Sequence, residues 1–354
     1  MPVWHCTFLK KKAAMFNHKY TPHISYTLFI IIILNSAAFT FAQQKKQLKF
    51  SSNGQFRIVQ FTDVHYRLDN VQRCDSIKNL MSAIISAEKP DLVILTGDIF
   101  VSGDYKKGWA EVTSPMRNAG IPWAAVFGNH DHETGVSNKT IMQYLVTLPY
   151  NQSQNGPVDL SGSGNYILKI LGSKNNKTAA LLYCFDSHDY VKENLYPDTR
   201  GYDWIKFNQV KWYREQSKKF TAEHKGIPYP ALAFFHIPLP EYSAVKDKPT
   251  TVGEKKDNVN SPQINSGLYN AFLECGDVMG TFCGHDHNNS FIGTLNNIAL
   301  GYGCKIGTDL YSYLLQGART IVLYENERKF DTWIDDTESA KKYFVQYPAS
   351  FTGK

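Results

Sequence analysis

Five short polar islands carry the chemistry of this chain: Asp63-Val-His65, Gly97-Asp98, Gly128-Asn-His-Asp131, a lone His236 and Gly284-His-Asp-His287. Asp, His and Asn side chains supply the oxygen and nitrogen donors that hold transition-metal ions. Gathered from several points of the chain, they can hold two such ions close together, which is what hydrolysis of a phosphate ester needs. Mixed imidazole and carboxylate donors suit Fe, Mn or Zn rather than Ca, which takes oxygen alone. The cofactor expectation is two divalent or mixed-valence transition-metal ions. Each island by itself says little: Asp-x-His and Gly-Asp are commonplace, and a single His such as His236 is more often a satisfied core residue. The Gly-His-Asp-His island is stronger, because alternate residues of an extended segment point the same way. The ordered set makes the case.

Side chains so far apart in sequence can meet only if regular elements deliver them. Residues 56–61 form a short β-type run, 71–88 carry apolar residues at helical spacing, and 91–95 are almost continuously apolar, as in a strand covered on both faces. A helix-like stretch, 109–118, and a strand candidate, 123–127, follow. This β-α-β-α-β order predicts an α/β fold with parallel strands. Three of the islands directly follow these runs, and in open α/β sheets the crevice at the carboxyl ends of strands is where ligands bind. Gly97 and Gly128, beside Asp98 and Asn129, permit tight turns there.

The second half is more mixed. Residues 165–171 and 178–185 read as strands, 204–222 as an amphipathic helix with a basic outer face, and 231–235 as a buried strand. Segments 277–283, 291–295, 318–324 and 330–334 complete a closing set of strands. Residues 151–164 and 246–260 read as loops. There is no internal repeat, and candidate ligands lie on both sides of these loops, so residues 43–354 are expected to form a single domain with a core at about 55–335.

Residues 1–42 stand apart. Lys10, Lys11, Lys12 and Lys19 precede an apolar run over 24–42 that ends in Thr40-Phe-Ala42. This is the pattern of a secretory signal peptide, and it predicts a secreted or periplasmic protein; an uncleaved membrane anchor is the alternative. The formal charge of +6 falls to +2 without this segment, since it holds four lysines and no acidic residue. That balance gives no electrostatic case for nucleic acid as a partner. Cys74, Cys184, Cys275, Cys283 and Cys304 show no CxxC spacing and read as small buried side chains. Neither a Gly-x-Ser-x-Gly elbow nor a phosphate-cradling Gly loop is present, so serine hydrolases and P-loop enzymes have no support.

Taken in order, the islands resemble the calcineurin-like metallophosphoesterase superfamily pattern Asp-x-His, Gly-Asp, Gly-Asn-His-Asp/Glu, His, Gly-His-x-His. Within it the chain looks like the Dcr2-type and purple-acid-phosphatase-29-like branch, through residues 234–242, 201–205 and 282–289. The likeness spans about residues 56–334. It implies two packed mixed β-sheets flanked by helices, a four-layer αββα sandwich. It also implies that Asp63, His65 and His287 bind one metal, that Asn129, His236 and His285 bind the second, and that Asp98 bridges them. His130 would be the catalytic imidazole near phosphate and leaving group, with Asp131 orienting it. Purple acid phosphatases carry a ferric-binding Tyr three residues after the bridging Asp; Val101 stands there in this chain, so no tyrosinate–iron colour is expected.

The reaction so implied is hydrolysis of a small phosphate monoester by in-line attack of a hydroxide held between the metals, with His130 assisting the departing alkoxide. Metal ligands do not encode substrate, so a phosphodiesterase or nucleotidase is the rival reading. A secreted binding protein with a vestigial metal site is the rival of another class. His132, His188 and His224 read as surface histidines, and Asp186-Ser-His-Asp189 as a site-lining loop or an ordinary turn.

Overall fold

In the computed structural model, residues 45–308 and 312–352 are described; the leader-type segment 1–42 lies outside them. The strands of the first half are β1 (Gln55–Phe61), β2 (Tyr66–Arg67), β3 (Leu92–Thr96), β4 (Phe100–Ser102), β5 (Trp123–Val126), β6 (Tyr166–Leu171) and β7 (Thr178–Cys184). Those of the second half are β8 (Ala231–Phe234), β9 (Val278–Cys283), β10 (Ile292–Leu295), β11 (Ile298–Tyr302), β12 (Gly317–Tyr324), β13 (Phe330–Asp336) and β14 (Lys342–Tyr347).

They build two six-stranded sheets, ordered β14-β13-β12-β1-β3-β5 and β10-β11-β9-β8-β7-β6, and a small β2-β4 pair. Both large sheets are mixed. In the first, β1, β3 and β5 run parallel while β12, β13 and β14 are added antiparallel. In the second, β7, β8, β9 and β11 run parallel, with β6 and β10 antiparallel at the edges. The α/β expectation with two mixed sheets and helices holds.

Side-chain alternation explains the layering. Leu182 and Cys184 of β7, and Leu232 and Phe234 of β8, join the core shared with the first sheet. Their neighbours Leu181, Tyr183, Ala231 and Ala233 point the other way, into a second cluster with Tyr213 and Phe272 from helices Phe207–Glu223 and Leu268–Cys275. A strand buried on both faces has no polar side to show, hence the continuous apolar runs. Helix Val71–Glu88 packs by its stripe Cys74, Ile77, Met81, Ile84 and Ile85. Gln60, fully buried, ties the sheets together: its Nε2 donates to Thr96 Oγ1 at 2.8 Å and to the Cys283 carbonyl at 3.0 Å.

Several elements differ from expectation. The helix expected over 109–118 is two, Tyr105–Val112 and Ser114–Asn118. Asp104 caps the first, accepting from Lys106 N and Lys107 N, and Pro115, which lacks an N–H, restarts the chain as a new helix. The fold also reaches past residues 55 and 335, because Leu48 and Phe50 are buried and β14 extends the first sheet. Helices Asn138–Leu145 and Leu268–Cys275 fill stretches without an assigned element. All five described cysteines are free thiols, four of them buried. Among the described residues no helix is long and apolar enough to cross a membrane.

Candidate metal centre

Every island sits just past the carboxyl end of a parallel strand. Asp63 follows β1, Asp98 follows β3 and Asn129 follows β5 in one sheet; His236 follows β8 and His285 follows β9 in the other. The site therefore lies where the ends of both sheets meet. Turning sharply off a strand requires unusual backbone, and Asp63, His65, Asp98 and His285 all have positive φ (51°, 45°, 53° and 79°). Non-glycine residues held this way concentrate at functional sites. Gly128 answers to close approach: a Cβ there would lie 2.3 Å from Asp98 Oδ1.

The donors cluster into two groups that share Asp98. Asp63, His65, Asp98 and His287 form one, Asp98, His236 and His285 the other, with the ligand-type atoms of each within 4.8 Å of one another. His236 Nε2 is 3.1 Å from Asp98 Oδ2, His65 Nε2 is 3.7 Å from the same oxygen, and His287 Nε2 is 3.3 Å from Asp63 Oδ1. The Nε2 atoms of His65 and His287 lie 3.2 Å apart. Asn129 is buried, and its Oδ1 has no hydrogen-bond partner. An orphaned buried carbonyl oxygen beside carboxylates and imidazoles is costly without a cation to coordinate it. The donor set thus fits two transition-metal ions, one per group.

The surroundings fix these side chains. His236 Nδ1 contacts the Thr96 carbonyl at 2.8 Å, which assigns the proton to Nδ1 and leaves Nε2 toward the carboxylates. Ser187 Oγ accepts the N–H groups of His236 and Ile237. Thr62 Oγ1 reaches Asp63 Oδ2 at 2.7 Å, and the His285 N–H reaches both Asp63 oxygens at 3.1 Å.

Burial and the charges of neighbouring ligands set the protonation of these groups. Burial alone would raise Asp63, but the His287 hydrogen bond and the His236 and His287 charges hold it at about 2. Burial opposes the charged form of His236, yet Asp98 beside it outweighs burial and lifts it to about 10. His285, by contrast, is pushed to about 3 by burial and by the neighbouring His236 charge. A metal takes a neutral imidazole, as His285 is here, and binding at His236 would release the Nε2 proton that Asp98 favours.

Two residues expected to act together are separated. His130 is half-buried, its ring 5.4 Å from that of His65, and its backbone N–H donates to Asp98 Oδ1 at 2.8 Å. Asp131 does not orient it. The Asp131 carboxylate is fully buried and accepts backbone N–H groups of Asp98, Ile99, Phe100 and Gly128. The carboxylate on His130 is Glu133, whose Oε1 lies 2.5 Å from Nδ1. The reason is local geometry: residues 131–134 form a 3-10 turn, in which positions three apart eclipse. The spacing His130-x-x-Glu133 was the available signal.

Tyr190 and Tyr202 were not expected at the site. Asn129 Nδ2 donates to Tyr190 Oη at 3.2 Å, Tyr190 stacks on Tyr202 with ring centroids 5.4 Å apart, and Tyr202 meets the His285 ring edge-on at 4.2 Å. Tyr202 falls within the stretch 201–205 that resembles the branch, though no role was attached to it, and no motif marks Tyr190; both lie at the root of a loop closed by the bridge Tyr190↔Tyr202. Of the remaining histidines, His132 faces Asp189 at 3.7 Å, His188 Nε2 meets Gln209 Oε1 at 2.8 Å, and His224 stacks on Tyr229.

Known proteins resemble this chain in sequence and in fold. Residues 56–289 match the calcineurin-like phosphoesterase family. The chain is 34% identical over 322 residues to "Probable inactive purple acid phosphatase 29" of Arabidopsis thaliana, covering 82% of each chain. It is 32% identical over 339 residues to "Phosphatase DCR2" of Saccharomyces cerevisiae, covering 84% of this chain and 57% of that one. Among solved structures, a dimetal phosphatase from Danio rerio shares the fold with a TM-score of 0.55 at 14% identity, over 82% of this chain and 98% of that one.

Proposed function

The chain belongs to the calcineurin-like phosphoesterase family, and we propose that it is an active, metal-dependent phosphatase that hydrolyses small phosphate monoesters. The observation that carries this reading is the sharing of Asp98 by two complete donor groups. Asp63, His65 and His287 would hold one ion, Asn129, His236 and His285 the other, and Asp98 both. When bound, two such ions supply Lewis acidity and an activated water, the requirements of phosphoester hydrolysis.

The chain's own residues supply the rest. Asp63 and Asp98, ionised at neutral pH, balance part of the cation charge, so that the centre keeps a net attraction for a phosphoryl group. His130 stands at the half-open side of the cluster, with Nδ1 against Glu133. That contact leaves Nε2 to meet the substrate and pass a proton to the departing alkoxide oxygen. Some relatives carry "inactive" in their names. In this chain every donor position is filled, which supports activity.

The test is metal content of the purified protein together with rates on nitrophenyl phosphate and bis-nitrophenyl phosphate. Two ions per chain and preference for the monoester are expected. Preference for the diester would overturn the monoester assignment, and a dimetal protein inert toward both would overturn the enzymatic reading. Export belongs to the same proposal: residues 1–42 act as a leader, and the N-terminus of the exported protein should be Gln43. Recovery of the intact leader on a membrane fraction would replace secretion by anchoring.

A further inference from the structure

The amide of Asn129 presents a problem that the carboxylate ligands do not. Its two ends differ: Oδ1 can bind a cation and Nδ2 cannot. A half-turn about the last side-chain bond would put a donor N–H against the second ion, so something must choose the orientation. Asn129 Nδ2 is taken by the phenol oxygen of Tyr190 at 3.2 Å, while Oδ1 is buried with no hydrogen-bond partner.

Tyr190 is itself held. Its ring stacks on Tyr202, 5.4 Å between centroids at 29°, and Tyr202 in turn abuts the His285 ring at 4.2 Å. The backbone locks the two tyrosines together through the Tyr190↔Tyr202 bridge, with Val191 N–H to the Gly201 carbonyl and Asp203 N–H to the Asp189 carbonyl. The loop root is pinned again where His188 and the Asp186 carbonyl meet Gln209 of helix Phe207–Glu223. The Tyr190 hydroxyl oxygen offers a lone pair to the amide N–H. A contiguous path therefore runs from Asn129 through Tyr190 and Tyr202 to His285, touching two ligands of the same ion.

We propose that Tyr190 is a positioning residue for the second metal: it fixes the Asn129 amide with Oδ1 toward the cation, and Tyr202 holds Tyr190 in place by stacking. This inference rests on the dimetal reading above. Partners behind a ligand typically govern metal affinity by 10- to 100-fold.

The experiment is titration of the metal-free protein with Mn2+, followed by calorimetry and by metal analysis after dialysis. Tyr190→Phe keeps the stack but loses the hydroxyl; one of the two ions should bind about tenfold more weakly, with the other unchanged. Tyr202→Phe, which keeps the ring, should bind both ions as the parent does. In an Asn129→Asp background both side-chain termini are oxygens and there is no orientation to lose, so the effect of Tyr190→Phe should shrink to about threefold or less. Circular dichroism and thermal melting of Tyr190→Phe should match the parent. Equal affinity of both ions in Tyr190→Phe and parent overturns the inference, as does an undiminished loss in the Asn129→Asp background. A parent that binds no Mn2+ at all is a different result, because it refutes the dimetal reading itself.

Discussion

The carboxylate of Asp131 grips the backbone of Asp98: Oδ2 accepts the Asp98 N–H at 2.9 Å and the Gly128 N–H at 2.8 Å. Its other oxygen accepts from Ile99 and Phe100. One side chain thus joins the loop after β3, which carries the shared carboxylate, to the loop after β5, which carries Asn129 and His130. Removing it in Asp131→Ala leaves four buried N–H groups without an acceptor. At ~1–3 kcal/mol for each unsatisfied group, a loss of at least about 4 kcal/mol in folding stability is expected. Asp131→Asn, which keeps one acceptor oxygen, should lie between. Urea denaturation measures both, and a loss under about 1 kcal/mol for Asp131→Ala would show that the grip does not matter.

The neighbouring His130 should behave in the opposite way. It is half-exposed and belongs to neither donor group. His130→Ala is expected to lower kcat by ~100-fold or more, in the range for loss of a general acid, while two ions stay bound. Glu133→Gln should lower kcat by about tenfold through loss of the carboxylate on Nδ1, with stability changed by less than about 0.5 kcal/mol at this half-exposed position. Metal analysis beside steady-state kinetics separates the cases. Loss of metal in His130→Ala, in parallel with rate, would move that residue into the ligand set.

What could be read from the sequence followed a physical rule. The strands that deliver the ligands are buried on both faces, so β3, β5, β8 and β9 stand out as continuous apolar runs, and the polar residue just after each is conspicuous. Elements lacking that contrast were missed. β14 is an edge strand in which exposed Phe344 and Gln346 alternate with buried Val345 and Tyr347, so no long buried run marks it. β11 follows Asn296-Asn297, both at positive φ, a two-residue hairpin turn whose signal was present but short. Tyr202 lies in the stretch 201–205 that resembles the branch, but Tyr190 was not readable, because a lone Tyr in a loop carries no spacing and its contact with Asn129 spans 61 residues. Asp131 adjoins His130 in sequence, but the turn geometry brings position 133 round to the imidazole instead.

Gly97 offers a test of how tightly the centre is built. It has φ +83°, and a Cβ there would come within 2.5 Å of the His236 ring and 2.7 Å of Gly128 N. Gly135 has nearly the same φ, +76°, but an added Cβ meets nothing within 4 Å. Both Ala substitutions bear the backbone strain of a left-handed conformation, on the order of 1 kcal/mol. Only Gly97→Ala also displaces His236. Gly135→Ala should therefore keep both metals and lose a little stability, whereas Gly97→Ala should lose metal on the His236 side. Equal metal retention by the two variants would refute the steric argument.

Far from the centre, Glu88 gives a pH dependence with a definite sign. Burial, and next the charge of Asp335, raise its folded-state pKa above the ordinary carboxylate value, with Arg57 only partly offsetting them. A raised carboxylate stabilises the fold fully below its unfolded pKa, and that contribution is lost as pH rises through the folded pKa. Glu88→Gln resembles the protonated form at every pH. Its melting temperature relative to the parent should therefore rise between pH 4 and pH 7. A difference that stays flat, or falls, across that interval would show that Arg57 dominates instead.

The sharing of Asp98 predicts an unequal stoichiometry on ligand removal. His287 and His285 each belong to one donor group, so His287→Ala and His285→Ala should each retain about one ion per chain by metal analysis. Asp98 belongs to both, and Asp98→Ala should retain close to none. The same inequality should appear in stability, because an ion that binds only the folded state raises stability by RT ln(1 + [L]/Kd), about 2.7 kcal/mol at a hundredfold excess over Kd. Chelation should lower the melting temperature of the parent most, of His285→Ala and His287→Ala less, and of Asp98→Ala hardly at all. Two ions persisting in Asp98→Ala would show that the donor groups are independent.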